Sequence, residues 1–464
     1  MFDADIDDMT FYDDDDDHIG DCVDCDKQNF EYDYDYDEIQ VESLEEIINN
    51  CLIPSVFDTT KYLIPLFIIS LSFNFITQFV KLPQKYFHIL SILLGMFILH
   101  YYVPESLYLI EIYAVLSYIC LCLPKQYQKG IEMFVLSLLI ILYCEYTMEP
   151  VAWHKIRSVI MIAAMKAVSV SLDKSDDLPD VWQYIGYMFS PVTCLFGPWI
   201  PFSNYISVEQ NNNRWTPWFI VSASKNLLIS LIFLSVSNCW TRWLIPLSAG
   251  KWLSAYKDAL SFRSSHYFIS YMSSTILLLG GFSSSVSTIV RPIDIELPRS
   301  LVQVVVSWNI PMHTWLKLYI FRPATRHVGK FGAVTLTYLT SALLHGLNFQ
   351  LAAVLLSLGL YTYVEFQLRF ILANAFDACI GAKQCSPDKC HHKKNSRHYG
   401  VILTNIVFSI LSVFHLAYLG LMFDISELQE TGYSYRHTID KWSQLGFASH
   451  WIAFTTYLIY FLIK

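Results

Sequence analysis

From Tyr62 onward the apolar residues of this chain fall into long blocks, each closed by a short polar or basic stretch. Tyr62–Val80 is followed by Lys81 and Lys85, and Leu107–Leu123 by Lys125 and Lys129. His88–Val103 lies between them, and Ile131–Met148 and Ile156–Leu172, the latter interrupted by Lys166, come next. Trp218–Asn238, His266–Phe282, Ile402–Met422 and Trp451–Ile463 repeat the pattern, and residues 332–373 hold one or two more helices. Blocks approaching about 20 residues suit helices that cross a bilayer. The expected fold class is an all-α polytopic membrane protein with about ten to twelve spanning or partly spanning helices.

Two stretches break the rhythm. Residues 182–205 read WQYIGYMFSPVTCLFGPWIPFSNY, with Pro191, Pro198, Pro201, Gly186 and Gly197. Proline removes a donor from the helix ladder, so this stretch is expected to be broken or re-entrant, either a cavity wall or an interfacial loop. Leu301–Phe321 is amphipathic and too polar for a helix facing lipid. Trp240, Trp243 and Trp252 with Arg242, Lys251 and Lys257 have the make-up of an interfacial belt. Residues 374–399 form a basic, cysteine-bearing loop.

Composition adds one division. The chain is 54% hydrophobic, 16% aromatic and only 16% charged, against roughly a quarter charged in average soluble chains. Its net charge of -10 comes from the amino terminus, because residues 1–50 carry 15 Asp and 5 Glu against Lys27. The remainder holds 21 acids against 30 bases. The expected division is therefore an acidic, solvated tail over 1–50 and a basic membrane domain over 51–464. Within the boundary, IQVESLEEIINNCL (residues 39–52) has helical spacing and suits an interfacial position. A basic membrane body fits anionic headgroups or a phosphate-bearing ligand, or simply the usual Lys and Arg excess of cytoplasmic loops.

Candidate chemistry concentrates between Leu301 and Glu365. Asn309 lies between Trp308 and Ile310-Pro311, and His345 interrupts the apolar run SALLHGL. Polar side chains at membrane depth are costly and carry either a function or a polar partner. Histidine suits a general base near neutral pH, and asparagine an orienting amide or oxyanion donor. The pair is sufficient for acyl transfer from a thioester to a hydroxyl. The competing reading is a packing histidine and a structural hydrogen bond. The two positions are 36 residues apart, so separate elements must bring them together. Lys317, Arg322, Arg326 and Lys330 lie between them, placed to meet coenzyme A phosphates or to fix topology. Trp308, Trp315, Lys317 and Arg322 are the candidate substrate-binding residues.

Other signals are weaker. His313 either joins the site or faces the interface, and His415 reads as packed. Eleven cysteines form no secreted framework, and Cys120, Cys122, Cys144 and Cys239 read as small hydrophobes. Cys379, Cys385, Cys390, His391 and His392 do not match a compact zinc pattern, so no metal is expected there. A plain basic loop, with a possible acylated cysteine, is the preferred reading. The acidic start excludes a cleavable signal peptide, and phosphate-loop, dinucleotide and nucleophile-elbow motifs are absent from the sequence.

SWNIPMHTWLKLYIFRP, then SALLHG, then LAAVLLSLGLYTYVEFQLR closely resembles the membrane-bound O-acyltransferase family. IELPRSLVQVVVSWN and FHLAYLGLMFD narrow the likeness to the member that acylates Wnt proteins. The likeness extends over about residues 55–460 and excludes the acidic tail. It implies a helical bundle around a transmembrane catalytic tunnel, acyl-CoA entering from the cytosol and the protein acceptor from the lumen. It also implies His345 as catalytic residue with Asn309 as partner, and palmitoleoyl transfer to a Wnt serine at the endoplasmic reticulum. Palmitoleoyl-CoA would be a substrate, with no permanently bound cofactor. Acyl-CoA, Wnt proteins and membrane lipid are the expected partners, and nucleic acid is not. A transporter would favour symmetric halves with matching broken helices, which the sequence lacks. A non-catalytic chaperone for lipidated ligands would bind acyl-CoA and peptide without turnover.

Overall fold

The structure is a computed structural model that describes residues 43–80, 82–123, 129–173, 178–210, 216–246, 250–385, 390–423 and 434–464. The first helix, α1 (Leu44–Phe79), opens with a capping box in which Ser43 Oγ accepts from Glu46 N at 3.2 Å. Glu46 Oε2 accepts from Ser43 N at 2.6 Å in return. Residues 44–50, counted with the tail on charge alone, therefore belong to this helix, in keeping with their helical spacing. Residues 1–42 lie outside the described ones.

The helices α2 (Gln84–Tyr102), α3 (Leu107–Cys122), α4 (Lys129–Thr147) and α5 (Pro150–Leu172) run alternately up and down. Gly130 packs on Leu172, so the start of α4 lies beside the end of α5. Short α6 (Val181–Met188) and α7 (Phe202–Gln210) precede the long pair α8 (Pro217–Leu244) and α9 (Lys251–Leu279). Then follow α10 (Pro292–Glu296), α11 (Leu301–Trp308), α12 (Ile310–Leu316) and α13 (Arg322–Leu344). The chain closes with α14 (Phe349–Ala375), α15 (Tyr399–Gly420), α16 (Tyr435–Gln444) and α17 (Ala448–Ile463).

Among the described residues, six helices are long and apolar enough to cross a membrane, or seven if bent α16 and α17 make one span. The expectation of ten to twelve also counted α2, α5 and α9, which have spanning length without passing that test, and α13, which is broken by a kink at Gly329 (φ +69°). Charged residues explain two of these: α5 carries Lys155, Arg157 and Lys166, and α9 carries Lys251, Lys257, Asp258 and Arg263. Both helices are largely buried within the protein, where polar groups find partners instead of lipid.

Cys51 and Cys239 form a disulfide, contrary to the reading of Cys239 as a small hydrophobe. Cys51 is near the start of α1 and Cys239 near the end of α8, so antiparallel packing brings two distant cysteines to one face. Disulfides persist outside reducing compartments, so this face is the non-cytosolic one. Following the helices from Cys51, the ends of α4 and α13 fall on the disulfide face. The turn from Lys317 to Lys330 and the loop after α14, with Lys383, Lys393, Lys394 and Arg397, fall on the other. The excess of Lys and Arg there agrees with a cytosolic face.

Candidate functional site

Two broken segments enter from the basic face and turn back inside the protein. In the first, Lys85 lies 5.0 Å from the Trp182 ring centroid, near the start of α2. Further along α2, Ser91 Oγ donates to Gly186 O at 2.9 Å. Gly95, halfway along, meets Phe189 O so closely that a Cβ would fall 1.6 Å from it. The chain then reverses through its prolines, and Tyr205 returns to within 3.0 Å of His88 Nδ1. The expected re-entrant course of 182–205 is thus present. Lys166 Nζ donates to Tyr187 O at 2.9 Å and Met188 O at 3.1 Å, binding the last carbonyls of α6. A water-sized cleft lies beside it, lined in part by Lys166, Met188 and Cys194.

The second broken segment carries Asn309. Its entry is clamped: Arg299 Nη2 donates to Cys379 O at 2.7 Å, and Ser300 Oγ to Ala382 O at 2.9 Å. Leu301 N donates to Glu365 Oε2 at 2.9 Å, so a carboxylate occupies the start of α11. Fully buried Arg369 holds Glu365 Oε1 at 3.3 Å and also donates to Ile380 O, Arg299 O and Asn405 Oδ1. Sequence reasoning missed this pair, although an acid and an arginine four apart in an otherwise apolar helix were the available signal. Asp294 fixes the same helix by accepting from Gln303 Nε2 and Ser307 Oγ. Helix α11 rises to Trp308, whose carbonyl lies 2.7 Å from His266 Nε2, halfway along α9.

At Asn309 the helix breaks, and Asn309 Oδ1 accepts from Met312 N at 3.1 Å to cap α12. Its side-chain amide N–H groups donate to none of the described residues. Helix α12 and a wide π turn (Lys317–Phe321) then lead back along α5. Trp315 Nε1 donates to Met165 O at 2.9 Å, and Tyr319 Oη to Asp173 Oδ1 at 2.6 Å. Burial raises the Asp173 carboxyl above its ordinary pKa, against the opposing effect of that hydrogen bond.

His345 ends α13 on the disulfide face. Gly346 follows at φ +86°, a conformation that glycine adopts without strain. Glu145 of α4 holds this corner: its Oε2 accepts from Trp153 Nε1 at 2.6 Å and from Leu347 N at 3.3 Å. Arg157 of α5 is within electrostatic reach of the His345 ring. Buried His88 and His415 and half-buried His266 and His450 are all hydrogen-bonded. His345 is half-buried, and its ring makes no hydrogen bond among the described residues.

No hydrogen bond joins Asn309 to His345 among the described residues. Trp308 stacks flat on His266, 4.3 Å between centroids. Trp315, expected to touch substrate, is instead 0% exposed, and its indole is committed to α5, so it acts as a structural pin. Lys317, Arg322, Arg326 and Lys330 are exposed and make no ion pair among the described residues. A second water-sized cleft lies between α11, α14, α15 and α17, and neither cleft is lined by Asn309 or His345. His313 lies within electrostatic reach of Lys317 and Lys383.

The family model for MBOAT, the membrane-bound O-acyltransferase family, matches residues 97–385, which contain both broken segments, Asn309 and His345. The protein-serine O-palmitoleoyltransferase porcupine of Homo sapiens is 35% identical over 458 residues, covering 91% of this chain and 98% of that protein. The protein of the same name from Mus musculus is 36% identical, with the same coverage. That from Anopheles gambiae is 33% identical, covering 91% of this chain and 94% of its own.

Proposed function

Since this chain belongs to the membrane-bound O-acyltransferase family, we propose that it transfers a palmitoleoyl group from palmitoleoyl-CoA to a serine hydroxyl of Wnt proteins at the endoplasmic reticulum membrane. The observation that carries the reading is the likeness, along nine-tenths of the chain, to proteins named for that transfer.

In this reading His345 accepts the serine proton as the oxygen attacks the thioester carbonyl. The tetrahedral oxyanion collapses, the C–S bond breaks, and the imidazolium returns its proton to the departing coenzyme A thiolate. The free amide of Asn309 orients the reacting carbonyl or its oxyanion, while its carbonyl oxygen keeps α12 capped. Lys317 and Arg322 suit the donor's phosphates from the cytosolic side, and the protein acceptor reaches His345 from the other. The unpaired imidazole supports the assignment, since a general base needs a ring nitrogen free for its substrate.

Purified full-length chain in detergent should acylate a Wnt-derived serine peptide with palmitoleoyl-CoA and do so much more slowly with palmitoyl-CoA. Equal rates with both donors would remove the substrate assignment. Binding of donor and peptide without any product would replace the enzyme reading with that of a lipid chaperone.

A further inference from the structure

Away from Asn309 and His345, the loop after α14 gathers three thiols. The sulfurs of Cys379, Cys385 and Cys390 all lie within 4.8 Å of one another. Cys379 is fully buried, and the other two are half-buried. The frame that holds them is specific. Asp377 turns the chain out of α14 at φ +46°. Cys379 N then donates to Lys394 O at 2.9 Å, and Lys394 N to Asp377 O at 3.0 Å, so the loop closes on itself. Arg299 holds Cys379 O and Gly381 O, and its Nη2 lies 3.9 Å from Cys379 Sγ. Arg369 donates to Ile380 O at 2.8 Å from the other side. The first thiol is thereby fixed beside a guanidinium, which favours a thiolate there.

Compartment decides what three neighbouring thiols do. Cys51 and Cys239 are paired on the non-cytosolic face, whereas this loop lies on the basic, cytosolic one. Clustered thiols kept reduced read as metal ligands rather than as a disulfide. A tetrahedral zinc with bonds of about 2.3 Å spaces its sulfurs about 3.8 Å apart, so only a small inward adjustment is needed. The sequence spacing, which argued against a compact zinc pattern, does not keep the sulfurs apart in the fold.

We propose that Cys379, Cys385 and Cys390 bind a zinc ion as three thiolates, and that this ion stiffens the loop clamping the entry of the Asn309 segment. The fourth position falls to water, since among the described residues the three sulfurs gather with no imidazole nitrogen. Arg299 and Ser300 bind the carbonyls of residues 379, 381 and 382, so loop rigidity passes directly to α11.

Metal content of the purified full-length chain tests this independently of acyl transfer. Elemental analysis without chelator should find about one zinc per chain. Cys385→Ser and Cys390→Ser should each lose it, and Cys122→Ser should retain it. Should the loop variants fail to fold, cobalt exchange into the wild-type chain should give thiolate-to-cobalt charge-transfer absorption. A zinc-free wild-type chain that also lacks this absorption would overturn the proposal. So would peptide mapping that finds two of the three cysteines disulfide-linked, or one of them in a thioester with a fatty acid.

Discussion

Asn309 carries two demands on one side chain: Oδ1 caps α12, and the amide N–H groups stay open. Two substitutions separate them. Asn309→Asp keeps an acceptor for the Met312 N–H but removes the donor, so kcat should fall by at least about tenfold with little change in Tm. Asn309→Ala removes both and should also lose about 1 kcal/mol of stability, read as a lower Tm. If the aspartate variant turned over normally, Asn309 would be a cap alone. His345→Ala should fold and insert, because its ring makes no hydrogen bond among the described residues, yet lose about 10²–10⁴ in kcat. Near-normal turnover would remove it as general base. Both residues were conspicuous in the sequence as polar groups in apolar runs. The capping role was harder to read, although Pro311 at the second position of a new helix was its signal. Trp315 went the other way, because aromatic composition says nothing about whether an indole meets substrate or packs beneath it.

Among elements, the re-entrant hairpins divide legible from hidden. Prolines and glycines marked residues 182–205 in advance, since no continuous helix accommodates them. The second hairpin read as one amphipathic stretch, because its anchors come from α14 and the loop beyond, which no local pattern connects to Leu301. Arg369 is central to that anchoring. Arg369→Leu strands Glu365 and frees several carbonyls, so a loss of about 3–5 kcal/mol is expected. Limited proteolysis should then cut between residues 296 and 301 in the variant before the wild type. Unchanged cleavage there would mean that α11 is held chiefly by Asp294.

On the scale of the whole molecule, α5 is the common wall. It supplies Lys166 to one hairpin, Met165 O to the other and Arg157 to the neighbourhood of His345. Its charges are what made it look like an imperfect span, and burial among other helices is what makes them tolerable. The bundle, its class and its reactive candidates were therefore readable from hydrophobic patterning. The number of lipid-facing helices was not, because length alone does not separate a buried post from a span. Replacing Cys51 and Cys239 together with serine should lower stability by about 2–5 kcal/mol and abolish the effect of reductant on the wild-type Tm. A Tm indifferent to reductant in the wild type would show that the cross-link contributes nothing.

That cross-link also sets an order of biosynthesis. Its two partners are 188 residues apart, so the ribosome must make about half the protein before the first span can be tied. Until then α1 is not tied to α8, and a nascent chain stalled before Cys239 should expose a Cys51 that thiol-reactive probes can label.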